Sequence, residues 1–295
     1  MNRFWTNIPK RAIALSTVIV FLALVIALSQ NRSRKAQIAT SYAQTLALLN
    51  KQQTLAIRIG AIDNLGLIAK EFPEYHGSIV EVLSAYIRER SQKSKQDSPF
   101  IQSDIQSSLS IIANRRDQRD PNTRFLDPQK IINLEKSNLK DANLERVNLV
   151  GANLKRVNLI LGDLNLANLQ QVDLTGANLT QANLRVSNLK QAKLDKAILR
   201  RAELSLANLS NASLTGANLR KAELSRANLS EADLTKADFS GADLRKANLA
   251  QADITDAILF QNVKNLTTEQ VKSAKNWQNA HFNSSFRREL EADSD

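Results

Sequence analysis

The sequence predicts a mainly β chain: a solenoid turning every five residues from about Ile132 to Leu259, behind an apolar N-terminal helix and a small helical bundle. Two observations carry the solenoid. From Leu134 to Leu259 a large apolar residue recurs at every fifth position, in 26 units, and it is Leu in all but Phe239 and Ile254. Two residues before it stands Ala, Ser or Gly, except at Ile132, Val147, Val157 and Val172. A third observation, the uncharged 17-residue run Ala12–Leu28, places the helix at the other end of the chain.

At about 1.5 Å per residue that run spans roughly 26 Å, near the short end of what crosses a bilayer. Phe4 and Trp5 precede it, Arg3, Lys10 and Arg11 flank it, and Arg32, Arg34 and Lys35 follow. A cleaved signal peptide, with Ala27 and Ser29 before the cut, is the rival reading. The length of the apolar run and the basic residues right after it favour a retained anchor, residues 1–30. Three basic residues on each side leave the orientation open.

Residues 36–116 carry helical spacing. Leu55, Ile59, Ile62, Leu65 and Ala69 form one face that Pro73 stops; Ile79, Leu83, Tyr86 and Ile87 form a second; Ile101, Ile105, Leu109 and Ile112 a third. A further helix is expected over Ala36–Leu49, with short connections at Pro73–His76 and Ser91–Ser98. Residues 117–130 are expected to hold a linker and an N-terminal cap, the charged linker Arg115–Asn122 overlapping their start and ending in a turn signal.

The five-residue period excludes both regular alternatives. On an α-helix it advances about 500°, so successive leucines smear around the cylinder. On a flat strand an odd step sends alternate leucines to opposite faces. Only a chain that turns every five residues sends all 26 inward. The small residue and the leucine, two apart, then face in; the residue between them, Asn or Asp in 20 of 26 units, faces out. The last two residues make a corner, as in Thr175-Gly176 or Lys155-Arg156.

The units ANLKR, VDLTG, ANLTQ, AELSR, ADLTK and ADLRK resemble the A(D/N)Lxx signature of the pentapeptide-repeat family. The resemblance implies a right-handed quadrilateral β-helix over residues 131–260, four units and twenty residues per coil, about 30 Å tall at sheet spacing. The helical segment before the repeats resembles that of bacterial, notably cyanobacterial, members. Residues 265–282, NLTTEQVKSAKNWQNAHF, are similar to a C-terminal helical cap, within a cap and tail over 261–295.

Reading the units modulo twenty gives columns. Leu154, Leu174, Leu194, Leu214 and Leu234 form an inward core ladder. Asn148, Asn168, Asn188, Asn208, Asn228 and Asn248 form an outward column suited to an amide ladder between coils. Leu166, Val186 and Leu206 stack at one outward corner, bracketed by Arg146, Arg226 and Lys246, and with Ile160 and Leu161 nearby suggest a docking stripe. Arg200, Arg201, Arg220 and Lys221 stack at another corner as a candidate basic patch.

An enzyme is not expected. Cysteine is absent, the two histidines, His76 and His281, lie far apart, and no phosphate-binding glycine motif occurs. No catalytic, cofactor or metal residue is assigned, and no cofactor is expected. Some pentapeptide-repeat proteins protect topoisomerase by mimicking DNA, which needs an acidic surface; residues 131–260 carry 17 basic and 14 acidic residues. Nucleic acid is disfavoured because the basic residues lack interleaved aromatics. The expectation is a single-pass, membrane-tethered scaffold for a protein partner or a second copy of the chain. The cytoplasmic side is favoured by the resemblance alone. A surface binder of an anionic partner, membrane or nucleic acid, is the alternative.

Overall fold

A computed structural model describes residues 33–50, 52–93, 101–113, 132–259 and 262–292. The apolar run 12–28, the stretch 115–122 and the expected cap at 117–130 lie outside the described residues. Among the described residues no helix is long and apolar enough to cross a membrane. The chain forms two compact units, Met1–Ile68 and Ala69–Asp295.

In the first unit, α1 covers residues 33–48; α2 is Leu55–Glu71. Asn64 Nδ2 on α2 donates to the Thr45 hydroxyl on α1 at 2.6 Å, and that hydroxyl donates to Ser41 O at 2.7 Å, so a half-buried polar pair joins the two helices. Ile62, Leu65 and Ala69 of the expected face are buried, whereas Leu55, at the first position of the helix, is 45% exposed.

The second unit opens with α3 (Pro73–Lys93) and α4 (Ser103–Ala113). Pro73 does not head a loop, as expected from sequence. It is the first residue of α3, where its missing N–H has no intrahelical partner to lose, and Phe72 alone separates α2 from α3. Ile79, Leu83, Tyr86 and Ile87 on α3 and Ile105, Leu109 and Ile112 on α4 are buried. Between the helices, Tyr86 Oη donates to Asp104 Oδ2 at 2.6 Å, and Arg90 Nη2 lies 3.7 Å from the same oxygen.

The repeat forms a four-sided coil. Parallel bridges join each middle residue to the one twenty positions on, as in Asn133 to Asn153, Asn138 to Asn158, Asn143 to Asp163 and Asn148 to Asn168. These four pairs head walls 1 to 4 in that order, and Asn153 returns the chain to wall 1. The β content is single-residue bridges; among the described residues no bridge lengthens into a strand, because each wall is only three residues wide before the next corner. The core ladder Leu154, Leu174, Leu194, Leu214 and Leu234 is wholly buried on wall 1.

Every backbone N–H of a unit has a destination. In the unit Ala152–Arg156, Ala152 N–H closes the preceding turn on Leu149 O at 3.0 Å, and Asn153 N–H reaches back one coil to Ile132 O at 2.9 Å. Leu154 and Arg156 donate forward to Asp173 O at 2.8 Å and Thr175 O at 3.0 Å. The fifth, Lys155 N–H, has no backbone partner and donates to Asn153 Oδ1 at 3.1 Å. This is an Asx turn, in which a short side chain stands in for a backbone acceptor. The same bond forms at 19 of the 20 Asn and Asp positions. The requirement for Asn or Asp is therefore local first. Bonds between coils within the Asn column are also present, at Asn168–Asn188, Asn208–Asn228 and Asn228–Asn248.

Each corner is a turn closed by a bond such as Ser137 N–H to Leu134 O, and its second residue has positive φ. That single positive φ at the third turn position is the mark of type II geometry. All 25 such corners from Lys136 to Asp256 share it, yet only Gly151, Gly176, Gly216 and Gly241 are glycine. Hydrogen bonds to both neighbouring coils hold the others in a region that costs an L-residue about 1–2 kcal/mol.

The two ends are closed by side chains. At the N-terminal edge, Gln106 on α4 donates from Nε2 to Asn143 O at 2.8 Å and accepts from Asn143 N–H at 3.0 Å. Arg88 on α3 donates to Asn133 O at 2.7 Å. Among the described residues no coil precedes this edge, and these side chains take backbone positions that a preceding coil would use. At the other end the expected helical cap is mostly one more coil, progressively out of register. Lys264 bridges Asp243, Lys275 bridges Asp253 and His281 bridges Ile258. On wall 4 a five-residue helix, α5 (Thr268–Lys272), replaces the bridge, and Gln270 Nε2 donates to Leu244 O and Ala247 O at 2.9 and 2.7 Å. A 3-10 turn at Trp277–Asn279 and α6 (Ser284–Ala292) follow.

Candidate functional site

Leu166, Val186 and Leu206 all lie at the corner between walls 3 and 4, at the second, left-handed position, with φ of 59°, 56° and 62°. They are 39%, 44% and 49% exposed. Twenty residues apart, they stack at one coil spacing of about 4.8 Å. Leu161, 45% exposed, sits across wall 3 at the same coil as Leu166. Two physical costs coincide here. An L-residue in the left-handed region is disfavoured, a β-branched one such as Val186 most of all, and each side chain leaves apolar surface in water. Nothing in the coil requires them, since glycine, Asn, Gln, Lys and Arg fill the same position elsewhere.

The basic patch is placed at the corner between walls 2 and 3, where Arg200, Arg201, Arg220 and Lys221 are all exposed. Arg220 is committed: its Nη1 donates to Asp238 Oδ2 at 3.2 Å. Arg200, Arg201 and Lys221 make no ion pair among the described residues. The stripe and the patch thus border the same wall, an association that their spacing in sequence reveals only once the residues are stacked by twenty.

Several outward carboxylates are held ionised by the turns they cap. Burial raises Asp173, but the Thr175 hydroxyl and amide and the Lys155 ammonium at 3.3 Å outweigh it, and the carboxyl lies below its ordinary value. Burial likewise opposes, and Ser240 and Arg220 overcome it, at Asp238. At Asp243 burial is again outweighed, by Asn265, Arg245 and Lys264. The Thr255 hydroxyl, 2.6 Å away, leads the lowering at Asp253, with Asn276 and Lys275 adding to it against burial. A carboxyl that is a stronger acid in the folded state favours folding above the unfolded range. That contribution disappears as pH falls through the folded value. The melting temperature is therefore expected to be flat near neutrality and to fall below about pH 4. Asp173→Asn, which keeps the Oδ1 acceptor, should flatten part of that fall, measured by thermal melts between neutral and acid pH; an acid limb unchanged in the variant would show that Asp173 does not contribute.

His76 lies in α3 and His281 in the last coil, and no group of three or more His, Asp or Glu able to hold a metal ion occurs among the described residues.

Comparison with known proteins matches the family described as pentapeptide repeats, in eight copies over residues 132–165, 163–201, 187–226, 202–241 and 222–259. Among solved structures, Rfr23, a pentapeptide repeat protein from the cyanobacterium Cyanothece 51142, is 30% identical over 37% of this chain and 89% of its own, with a TM-score of 0.37. HetL, involved in heterocyst differentiation regulation in Nostoc sp. strain PCC 7120, is 28% identical over 52% of this chain and 79% of its own, with a TM-score of 0.25. Full-length QnrB1, a plasmid-mediated fluoroquinolone resistance protein, is 16% identical over 55% and 90%, with a TM-score of 0.27. No curated protein matches the chain.

Proposed function

Because the chain belongs to the pentapeptide-repeat family, we propose that it is a non-catalytic scaffold, tethered to a membrane by residues 12–28, which docks a protein partner on the outside of its coil. The coil is read as the right-handed quadrilateral β-helix that the family implies. The observation that carries the proposal is the stripe Leu166, Val186 and Leu206: exposed apolar side chains held at strained corners where the fold accepts polar residues or glycine. An exposed apolar strip with a polar surround fits a small interface. The apolar run and its flanking basic residues support the tether.

One experiment addresses both parts. Full-length protein is expressed in its native host as a proximity-labelling fusion, wild type beside Leu206→Asp and Val186→Asp. Asp tolerates the left-handed region, and the inward Leu204 and Ala207 are untouched, so Leu206→Asp should melt within about 0.5 kcal/mol of wild type. The labelled set should shrink in both variants, while all three proteins stay in the membrane pellet after carbonate extraction with the N-terminal peptide intact. Unchanged labelling would remove the docking surface. A mature N-terminus near Gln30 would remove the tether.

A further inference from the structure

The stripe is one edge of a one-sided surface. Of the 17 lysines and arginines in residues 132–259, ten fall on the two edges of wall 3. Four of the five exposed large apolar residues of the repeat, Leu161, Leu166, Val186 and Leu206, fall there too. The edge between walls 4 and 1, by contrast, carries Lys190 and Glu231 as its only charges. Along the axis, the stripe overlaps the most basic stretch, residues 185–226, with nine basic and three acidic residues. Arg185 adjoins Val186, Arg226 follows Leu206 one coil on, and Arg200 and Arg201 lie across wall 3. None of these four makes an ion pair among the described residues, whereas Arg146 is paired with Glu145 at 3.6 Å.

The spacing selects a shape of partner. Coils repeat at about 4.8 Å and an α-helix turns every 5.4 Å or so, so over the two steps from Leu166 to Leu206 the two differ by only about 1 Å. A helix laid along this corner presents one side chain to each stripe residue. The charges select its chemistry: apolar on the contact face and acidic on its flanks. Self-pairing fits less well, because a two-fold axis through Val186 would set Arg146 of one copy against Arg226 of the other. A nucleic acid would leave the three apolar side chains without partners and finds no aromatic residue on these edges to stack on.

We propose that the corner between walls 3 and 4 docks an acidic amphipathic helix of a partner protein, with its apolar face on Leu166, Val186 and Leu206 and its carboxylates toward Arg185 and Arg226, away from Glu203 and Glu223 on wall 3. The proposal rests on the stripe being a docking surface. Its test uses full-length protein in detergent and, as probe, a fluorescent helical peptide of about 18 residues with leucine once per turn and flanking glutamates. The control peptide has lysine in place of glutamate.

The acidic peptide should bind at least about tenfold tighter than the basic one and weaken as salt is raised. Leu206→Asp should abolish binding, and Arg185→Glu with Arg226→Glu should weaken it about tenfold without lowering the melting temperature. Equal binding of the two peptides, no binding of the acidic one, or equal competition by a DNA duplex overturns the proposal. If partner labelling still depends on Leu206 while neither peptide binds, only the helix chemistry fails. If labelling ignores Leu206, the docking surface itself fails.

Discussion

Leu194→Ala should destabilise the repeat by about 2–5 kcal/mol, the range for deleting a buried leucine side chain. Leu194 sits mid-ladder on wall 1, fully buried between Leu174 and Leu214. Its surroundings cannot collapse into the space. Its neighbours are leucines and alanines of the same narrow interior, and its own backbone is pinned by Leu194 N–H to Ser213 O at 2.7 Å and Ala197 N–H to Leu194 O at 2.9 Å. A solenoid holds together only through adjacent coils, so a cavity at one coil weakens the joint between the two halves. Denaturant melts followed by circular dichroism should show a lower midpoint and a broader or split transition. Leu206→Ala, at the corner, serves as the control and should change stability by no more than about 0.5 kcal/mol. Equal effects at the two sites would mean that the inward ladder is not the core.

Asp104→Ala should be at least as costly, about 3–5 kcal/mol, but confined to α3 and α4. The Asp104 carboxylate is completely buried, accepts from Tyr86 Oη and faces Arg90, whose Nε is itself buried without a hydrogen-bond partner. Removing the acid takes an acceptor from the Tyr86 hydroxyl and the countercharge from Arg90, whose Nη2 also donates to Gln102 Oε1 at 3.2 Å. Hydrogen exchange is the fitting readout. Amides of α3 and α4 should lose protection while those of the middle coils, which are held by bonds above and below, keep theirs. Retained protection in α3 and α4 would show that their apolar contacts suffice without Asp104.

The inward pattern was legible because it is arithmetic: one leucine and one small residue per five, with nothing but a turning chain able to bury them all. The column Asn148 to Asn248 reads as an amide ladder between coils, and three of its bonds are present; across the outward Asn and Asp as a whole a local bond is commoner. It goes to the amide two residues on, and the signal for it was present, since each Asn or Asp stands two residues before a corner amide that the coil leaves without a backbone partner. The left-handed corners were not legible. Apart from four glycines and Asp141, Asn211 and Asp256, the residues there, Arg201 or Val186 for example, show no preference for positive φ, because the bonds to neighbouring coils override local propensity. Least visible were the closures. Gln106 lies 37 residues from Asn143 and Arg88 lies 45 from Asn133, with no periodicity linking them. The helical cap implied by resemblance has its helices, α5, the 3-10 turn and α6, but bridges at Lys264, Lys275 and His281 also carry the backbone along the walls, which no sequence signal marks. The apolar stripe and the basic patch are legible as two separate columns, and their common wall emerges from the order of the corners.

A chain that closes on itself every twenty residues behaves as an indexed mechanism. Inserting or deleting twenty residues within the repeat changes the number of coils and leaves every later side chain on the wall it had. Inserting five gives all that follows a quarter turn. Arg226 and Lys246 would leave the edge of the stripe for the next corner, although each pentad would still be chemically perfect. Length can therefore drift in whole coils without cost to the pattern, whereas the alignment of surface columns is inherited only in multiples of four units. The C-terminal coil, whose bridges advance by 21, 22 and 23 residues instead of 20, is where this indexing is deliberately lost. Its extra residues go into the corners and α5, while its bridges still fall on walls 3, 1 and 2, so the count is lost there before the walls are.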